Sequence, residues 1–405
     1  MEALRSIVHM DLDTFFVSCE RKKDSRLIGK PILIGGTSDR GVVASCSYEA
    51  RKFGIHSAMP MKMAKERCPE AIIIKGNSQI YSDESRVVTE IIKESVPLFE
   101  KTSIDEFYLD LTGMDRFFGT LKYATELRQR IICETGLPIS FGQSINKTVS
   151  KIATGEAKPN NQIHIHQGTE KSFLAPLSVR KIPMVGLKTY QMLCSLGVKK
   201  IHTIQEMPIE LMESALGENG VSIWKKAQAL DQAPVIPYNE RKSISTERTF
   251  DRDTIDVLKL KGILAAMTEN LAYQLRRANK LTGCVTVKIR YSDFQTQTLQ
   301  KQVSYTSADH ELLPVVAELF NRLYNRRLLV RLIGIRFSSL VAGHYQLSLF
   351  GDEIDYPALY GALDHIRDRY GDRSIIRAIG LEARTIGGHN PFSGEPPALL
   401  ANRRS

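Results

Sequence analysis

The chain has 405 residues, of which 42% are hydrophobic, and it carries a formal net charge of +10 at pH 7. This composition excludes a wholly disordered protein, and the length predicts two to four domains. The sequence has no run of about 18 apolar residues and no apolar signal segment at its start, so we expect a cytoplasmic protein without a membrane span.

Two further counts restrict the class of protein. The six cysteines are scattered and form no C-x-x-C pair, which argues against a disulfide framework or a zinc site. Residues 241–340 hold 17 Lys and Arg against 9 Asp and Glu, an excess of eight positive charges. A basic segment of this kind favours a polyanionic partner, although a solubilising surface would have the same composition.

The hydrophobic pattern of residues 5–166 predicts a two-layer α+β unit. The predicted strands are 5–12, 31–36, 41–47, a hairpin over 98–112, 138–145 and 162–166. The predicted helices are 15–23, 47–54, 57–69, 80–95, 119–135 and 146–157.

The rest of the chain predicts a helical region, a linker and a second α+β unit. Residues 174–232 have a helical pattern with Gly and Pro punctuation, and "PVIPYNERK" has the composition of a linker. The following elements have the order β-α-β-β-α-β of a ferredoxin-like split unit: strand 243–250, helix 254–279, strands 283–291 and 296–305, helix 309–325 and strand 330–338. We expect one more helix in "ALYGALDHIRDRYG" and a mobile, Pro/Gly-rich C-terminus over 390–405.

Three acids follow strand residues that we expect to be buried. Asp11 lies at the end of the first strand, and Asp105 and Glu106 lie at the hairpin turn. Such carboxylates can hold two divalent cations, and Asp13 or Asp110 could belong to the same cluster. Adjacent strand residues point to opposite faces, so Asp105 and Glu106 can share a metal only if the backbone bends. A solvated pair of acids in a turn is the alternative interpretation.

Tyr48, Arg51 and Lys158 are candidates for binding phosphate. Tyr48 and Arg51 are three residues apart in a helical turn, so they share a face. Arg51 offers a fork of donors that suits phosphate, and Lys158 adds a point charge from a loop. Taken alone, Arg51 could equally be a surface residue of a basic helix.

Six motifs in order resemble the Y-family, or translesion, DNA polymerases. They are "MDLDTFF", "YEARKFG", "SIDEFYLDL", "NKTVSKIA", "AKPNN" and "KSISTERTF". The resemblance covers about residues 5–350 and is greatest to the DinB branch, that of bacterial DNA polymerase IV. It implies an α+β, multidomain right hand with a ferredoxin-like palm, small fingers, a helical thumb and a β-α-β-β-α-β little finger. The implied bounds are palm 1–11 and 77–166, fingers 12–76, thumb 167–235, linker 236–241, little finger 242–340 and tail 341–405.

The resemblance also implies the reaction and its metal site. Asp11, Asp105 and Glu106 would bind two Mg²⁺, joined by the backbone carbonyl of Leu12, while Asp13 would be structural. A primer 3′-hydroxyl would attack the α-phosphate of a dNTP and release pyrophosphate, with catalysis mainly by positioning and charge neutralisation.

The incoming nucleotide would be held by residues of the first two motifs and the "AKPNN" loop. The implied set is Phe15, Phe16, Ser45, Tyr48, Arg51 and Lys158. Phe16 matches the steric gate that rejects a ribose 2′-hydroxyl, whereas Phe15 is expected to pack in the core. Small residues at Gly41, Val42 and Ala44 would leave room for damaged bases, which implies low fidelity.

DNA would be held by a hairpin in the thumb and by basic residues of the little finger. "KIPMVGLKTYQMLCSLGV" resembles a helix–hairpin–helix, whose backbone N–H groups hold a phosphate. Family hairpins usually have two glycines; here Met184 replaces the first and Gly186 remains. The expected little-finger contacts are Lys242, Arg248, Lys288 and Arg290, any one of which could instead be a solvated surface residue.

The segment "QLSLF", 346–350, resembles the peptide by which bacterial polymerases bind the sliding clamp (its β subunit). Gln346 with the anchors Leu347, Leu349 and Phe350 could fill a hydrophobic pocket, although an ordinary strand has the same pattern. The implied partners are primer-template DNA, dNTPs and this clamp, for a monomer that is cytoplasmic and nucleoid-associated when active.

Two other classes of protein remain open from the sequence. A clamp-bound scaffold of polymerase shape without catalysis would have lost the acids, and this chain retains them. A basic DNA-binding regulator would need base-reading helices at a defined spacing, and the sequence contains no such pattern.

Overall fold

The structure is a computed structural model that describes residues 5–38, 40–114, 119–237, 240–343, 356–371, 374–381 and 383. The chain divides into two compact units, with the division between Asn239 and Glu240. Within the described part, no helix combines the length and the apolar character needed to cross a bilayer.

The N-terminal unit alternates short strands with helices up to residue 164 and is helical thereafter. Its strands are β1 (Ile7–Leu12), β2 (Ile32–Gly35), β3 (Val43–Cys46), β4 (Ile72–Ile74), β5 (Phe99–Lys101), β6 (Glu106–Asp110), β7 (Ile139–Ser144) and β8 (Gln162–His164). Its helices are α1 (Phe15–Lys23), α2 (Tyr48–Arg51), α3 (Met61–Arg67), α4 (Ser78–Ser95), α5 (Thr120–Thr135), α6 (Lys147–Ala157), α7 (Glu170–Leu174), α8 (Leu187–Ser195), α9 (Ile201–Glu206), α10 (Ile209–Leu216) and α11 (Glu218–Ala227).

The main sheet has the strand order β5-β6-β1-β7-β8, with β1 antiparallel to both β6 and β7. Apolar residues of one sheet face, such as Met10 and Phe107, share a core with α1, α4 and α5. Helix α6 covers the other face at Gly142, where a Cβ atom would lie only 2.3 Å from the carbonyl oxygen of Ser150. Glycine at this position therefore lets α6 approach β1, which carries Asp11.

A second, three-stranded sheet has the order β3-β2-β4 and packs with α2 and α3 around a separate core. The pattern predicted β2 and β3 but not β4, which pairs in parallel with β2. Helix α3 begins at Met61, because Pro60 adopts an extended conformation just before it.

The helical region α7–α11 has its own core, which also includes residues of α6. The chain that leaves it remains bound to the main sheet as far as Ile236. Val235 is buried against Ile7 and Tyr108, and the Ile236 N–H donates to Glu100 Oε2 at 2.8 Å. The predicted linker is therefore held against the main sheet up to Ile236.

The C-terminal unit contains β9 (Ser243–Thr254), α12 (Val257–Arg277), β10 (Lys280–Tyr291), β11 (Thr296–Thr306), α13 (Asp309–Leu323), β12 (Val330–Ala342) and α14 (Tyr356–Tyr370). Its sheet has the order β11-β10-β12-β9, and one face packs against α12 and α13. The predicted β-α-β-β-α-β order is confirmed up to β12.

Helix α14 lies in the segment that the sequence assigned to a C-terminal tail, and it packs on α12 and α13. Asp364 forms a bidentate pair with Arg276 at 2.6 and 2.9 Å, and the Tyr360 hydroxyl lies 2.8 Å from His310 Nδ1. Part of the expected tail is therefore folded onto the C-terminal unit. The predicted mobile terminus, 390–405, lies outside the described residues.

Candidate active site

The three acids lie at neighbouring strand ends of the main sheet. Asp11 is opposite Glu106 in the β1–β6 register, so both side chains lie on the α6 side of the sheet. Asp105 precedes β6 in the hairpin turn, and its carbonyl accepts from the Leu12 N–H at 3.0 Å. The turn supplies the bend that two adjacent acids need to serve one site.

Ser103 holds this turn and was not found from the sequence. Its hydroxyl oxygen accepts from the N–H groups of Asp105 and Glu106 at 3.3 and 3.1 Å, and its O–H donates to Asp105 Oδ1 at 2.5 Å. A serine that bonds to the backbone two and three residues ahead is a recognised turn motif, so "SIDE" contained the signal.

Each acid has its own local partner. Lys158 Nζ donates to Asp11 Oδ1 at 2.5 Å and Lys151 Nζ to Glu106 Oε2 at 2.6 Å, while Asp105 is held by Ser103. As these side chains stand, no group of three or more His, Cys, Asp or Glu in the described residues is arranged to hold a metal ion. The donor set still fits Mg²⁺, because it consists of carboxylate oxygens and already binds two cationic groups.

Burial dominates the electrostatics of Asp11. It raises the pKa of the Asp11 carboxyl from 3.8 to about 7; Lys158 opposes this shift, and Asp105 and Glu106 add to it. The Asp11 carboxyl is thus poised near neutral pH and favours cationic partners.

Asp13 has a different environment from Asp11. Its side chain is 1% exposed, and its Oδ2 accepts from the Ser140 hydroxyl at 2.8 Å and the Asn160 N–H at 2.5 Å. Its Oδ1 accepts from the Tyr48 hydroxyl at 3.3 Å and lies 3.7 Å from Lys158 Nζ. Asp13 therefore ties together β7, the loop after α6, and α2.

Asp110, the other open candidate, lies at the far end of the strand pair. It is opposite Ile7, and its Oδ1 accepts from the Thr112 N–H at 3.0 Å. Asp110 is therefore remote from the end of β1 that carries Asp11.

Two of the candidate phosphate ligands, Tyr48 and Lys158, meet at Asp13. Tyr48 and Lys158 both approach its Oδ1, and the Arg51 guanidinium lies 4.9 Å from the centre of the Tyr48 ring. Burial raises the pKa of the Tyr48 hydroxyl, so Tyr48 stays a neutral donor. Ser45 is partly exposed on β3. The structure thus brings Lys158 to both Asp11 and Asp13, Tyr48 to Asp13, and Arg51 to the Tyr48 ring.

The two phenylalanines of α1 separate in the expected way: Phe15 is buried in the core, whereas Phe16 is partly exposed. The Phe16 ring stacks on Tyr81, with 4.4 Å between ring centres and 15° between planes. The Tyr81 hydroxyl donates to the buried Glu20 at 2.8 Å. Glu20 follows Phe16 by one helical turn, so both flank Tyr81, a contact that the sequence alone did not reveal.

The predicted hairpin of the helical region keeps its turn despite the missing glycine. Met184 adopts a left-handed conformation with φ of 78° and is 81% exposed. Gly186 directly precedes α8. Methionine therefore occupies a conformation that normally favours glycine.

The basic residues expected to face DNA lie on different sides of the C-terminal unit. Lys288 and Arg290 alternate with buried Val287 and Ile289, so they point away from α12 and α13. Lys288 pairs with Glu247, and the Arg290 Nε donates to the Thr296 hydroxyl at 2.8 Å. Lys242 is exposed just before β9.

Arg248 does not share the solvent face of Lys288 and Arg290. It pairs in register with buried Ile333, and its guanidinium lies 5.6 Å from the Phe250 ring, on the helix side. Arg336 instead lies on the solvent face, opposite Thr286. Strict alternation with Ile244 and Phe250 along β9 would have predicted that Arg248 lies on the helix side. The segment 346–350 lies outside the described residues.

Comparisons with known proteins identify the family to which this fold belongs. Residues 10–155 match the model of the impB/mucB/samB family, and residues 241–349 match that of its C-terminal domain. The chain belongs to this family, as a DinB-type member of the Y-family of DNA polymerases.

Individual relatives are similar over most of their length. DNA polymerase IV of Dehalococcoides mccartyi is 38% identical over 92% of this chain and 97% of its own length. DNA polymerase IV of Treponema denticola is 35% identical over 81% and 83%, respectively. Among solved structures, the Y-family DNA polymerase chimera Dbh-Dpo4(243-245)-Dbh has a TM-score of 0.75 and DinB from Sulfolobus solfataricus one of 0.59. Both are 26% identical, with 84% of this chain and all of theirs covered.

Proposed function

We propose that this protein is a template-directed DNA polymerase of low fidelity that adds dNTPs to a primer 3′-hydroxyl during translesion synthesis. The observation that supports the proposal is that Asp11 and Glu106 face each other on adjacent strands, with Asp105 in the neighbouring turn and Lys158 in contact with Asp11. Acids that bind divalent cations next to phosphate-binding donors suit nucleotidyl transfer. Family membership supports the same activity.

Asp11, Asp105, Glu106 and the carbonyl of Leu12 would hold two Mg²⁺. When bound, the ions would supply charge neutralisation at the primer hydroxyl and the α-phosphate. The chain's own part is to hold the acids: Ser103 fixes the turn, and β1–β6 pairing sets Asp11 opposite Glu106.

The remaining site residues would bind and select the nucleotide. Lys158, Arg51, Tyr48 and Ser45 would hold the triphosphate, which replaces the contacts that Lys158 and Tyr48 make in the free protein. Phe16, supported by Tyr81, would exclude a 2′-hydroxyl, with buried Phe15 as packing. Val42 is 49% exposed and Ala44 is exposed, which suits positions near the nascent base pair.

The palm (1–11 and 77–166) would carry the acids, and the fingers (12–76) the nucleotide contacts. The thumb (167–235) would hold a DNA phosphate at Gly186, where no side chain caps the start of α8. The little finger (242–340) would present Lys288, Arg290 and Arg336 from one sheet face, and Lys242 from the segment just before β9. Such contacts are independent of sequence and weaken with salt.

Residues 346–350 would bind the bacterial sliding clamp, with Gln346, Leu347, Leu349 and Phe350 as contacts. The protein would act as a monomer in the bacterial cytoplasm, at the nucleoid. Deleting 346–350 should leave basal extension intact and remove stimulation by the clamp. Undiminished stimulation would show that another segment binds the clamp.

Primer extension with Mg²⁺ and dNTPs on damaged and undamaged templates tests the activity. We expect extension by the wild type and none by Asp105→Ala. Asp110→Ala is the matched control, because it removes an acid from the far end of the same hairpin and should retain activity. No extension by the wild type, or full extension by Asp105→Ala, refutes the proposal; clamp binding without incorporation would favour a silent scaffold.

A further inference from the structure

Lys151 lies in the "NKTVSKIA" motif and has no role in the function proposed above. Its Nζ contacts Glu106 Oε2 at 2.6 Å, with 33% of the lysine side chain and 25% of the glutamate side chain exposed. Lys158 follows seven residues later, about two helical turns on, and contacts Asp11. The two lysines therefore approach the two facing acids from the same side.

The backbone that carries Lys151 is fixed to the sheet. One residue before it, the Ser150 hydroxyl donates to the Ile7 carbonyl at 2.8 Å; three residues after it, the Thr154 hydroxyl lies 2.8 Å from the His9 carbonyl. Both neighbours are buried, and the close approach at Gly142 adds to this contact. Lys151 is thus aimed at Glu106 by the packing of α6, unlike a lysine on a free surface.

We propose that Lys151 is an internal cation that neutralises Glu106 while no metal is bound and competes with the metal for that carboxylate. The inference rests on the proposed function in taking Glu106 as a metal ligand. An ammonium group and a divalent cation repel each other across one carboxylate, so metal binding must release Lys151. Its long flexible stem and partial exposure let it move into solvent.

Lys158 differs from Lys151 in what it meets after release. Lys158 would exchange Asp11 for the triphosphate of the incoming nucleotide, whereas Lys151 contacts Glu106 and is not among the residues proposed to hold the triphosphate. Release of Lys151 therefore follows from metal binding alone, without nucleotide. This difference lets the role of Lys151 be measured in the absence of DNA and dNTP.

The test is a thermal-unfolding titration of the full-length protein with Mg²⁺, started from protein stripped with EDTA. In Lys151→Met we expect a lower Tm without metal, because Glu106 loses its counter-charge. We also expect a larger rise in Tm with Mg²⁺ and a half-saturation that is about fivefold tighter, the scale of one partly exposed ion pair. Lys151→Arg keeps the charge and should titrate like the wild type.

Lys181→Met is the matched control. Lys181 pairs at 2.7 Å with Glu156, which lies in α6 like Lys151 but outside the acid cluster. This variant should leave the Mg²⁺ titration unchanged. Equal Mg²⁺ responses of Lys151→Met and the wild type, including no response in either, overturn the inference. If primer extension by the wild type is then still seen, the proposed function stands without it.

Discussion

Replacing Asp13 tests whether the second acid of "MDLD" anchors the site or binds metal. Its two oxygens accept from Ser140, the Asn160 N–H and Tyr48. Asp13→Ala removes both acceptor oxygens and with them all three hydrogen bonds, whereas Asp13→Asn keeps the shape and one acceptor oxygen. If Asp13 is an anchor, both variants should lose stability, and the alanine variant should lose more.

The contacts set the size of the loss. A hydrogen bond to a charged group contributes about 1.5–3 kcal/mol, and a buried donor left without a partner costs about 1–3 kcal/mol. In Asp13→Asn the amide oxygen can still face Ser140 and Asn160, and the Tyr48 hydroxyl can turn to accept from the amide. We therefore expect a loss of about 1–2 kcal/mol for the asparagine variant and about 3–4 kcal/mol for the alanine variant.

Urea unfolding of the metal-free protein measures both losses, and a double-mutant cycle with Ser140→Ala isolates that contact. In primer extension, Asp13→Asn should raise KM for the dNTP more than it lowers kcat, because Tyr48 and Lys158 lose a common anchor. A loss below about 0.5 kcal/mol in Asp13→Ala, the range of an ordinary surface change, would refute the anchor. Abolished incorporation with unchanged stability would instead indicate a metal ligand.

Three further outcomes follow from the site and the hairpin. Tyr81→Leu should lower discrimination against ribonucleotides about fivefold, because it removes a ring stack of about 1 kcal/mol that supports Phe16. Single-nucleotide incorporation with dNTP and rNTP measures this discrimination. Unchanged selectivity would contradict the prediction. Asp11 has a raised pKa, so its ionisation destabilises the metal-free fold increasingly from about pH 3.8 to about 7. The stability of Asp11→Asn relative to the wild type in EDTA should therefore rise across that interval, and a flat difference would argue against the shift. Met184→Gly should stabilise the protein by up to about 1 kcal/mol in thermal unfolding by relieving a left-handed conformation; a loss of stability would show that the methionine side chain is needed.

Elements with a clear local signal were predicted well, and those that depend on distant partners were not. Helix α1 has the predicted bounds, Phe15–Lys23, and three basic residues fill its last turn, as is typical of a helix C-terminus. Strand β4 is only three residues long and forms through parallel pairing with β2, some 40 residues earlier. Helix α12 begins at Val257 instead of the predicted 254, because Asp256 caps it by accepting from the Lys259 N–H at 3.0 Å.

The site residues also fall into those that the local sequence predicts and those that depend on distant contacts. The acids could be found because carboxylates at strand ends are costly without a partner, and the motif order added the family. Lys151 could not be placed, because its contact with Glu106 joins residues 45 positions apart across α6 and β6. The faces of Arg248 and Arg336 could have been predicted, because strand alternation assigns Arg248 to the helix side and Arg336 to the solvent face.

The period of the first strand explains how acidic and core residues can share six positions. In β1 the even positions Met10 and Leu12 enter the core with α4 and α5, so His9 and Asp11 must face α6. Asp13 continues the odd series beyond the strand, and the chain then turns away at Thr14, which has a φ of 41°. The turn leaves Asp13 buried against β7, while Asp11 stays at the rim of the sheet, where Lys158, directly after α6, contacts it. Asp11 and Asp13 have the same side chain, but they lie in different environments because the strand, and with it the alternation, ends between them.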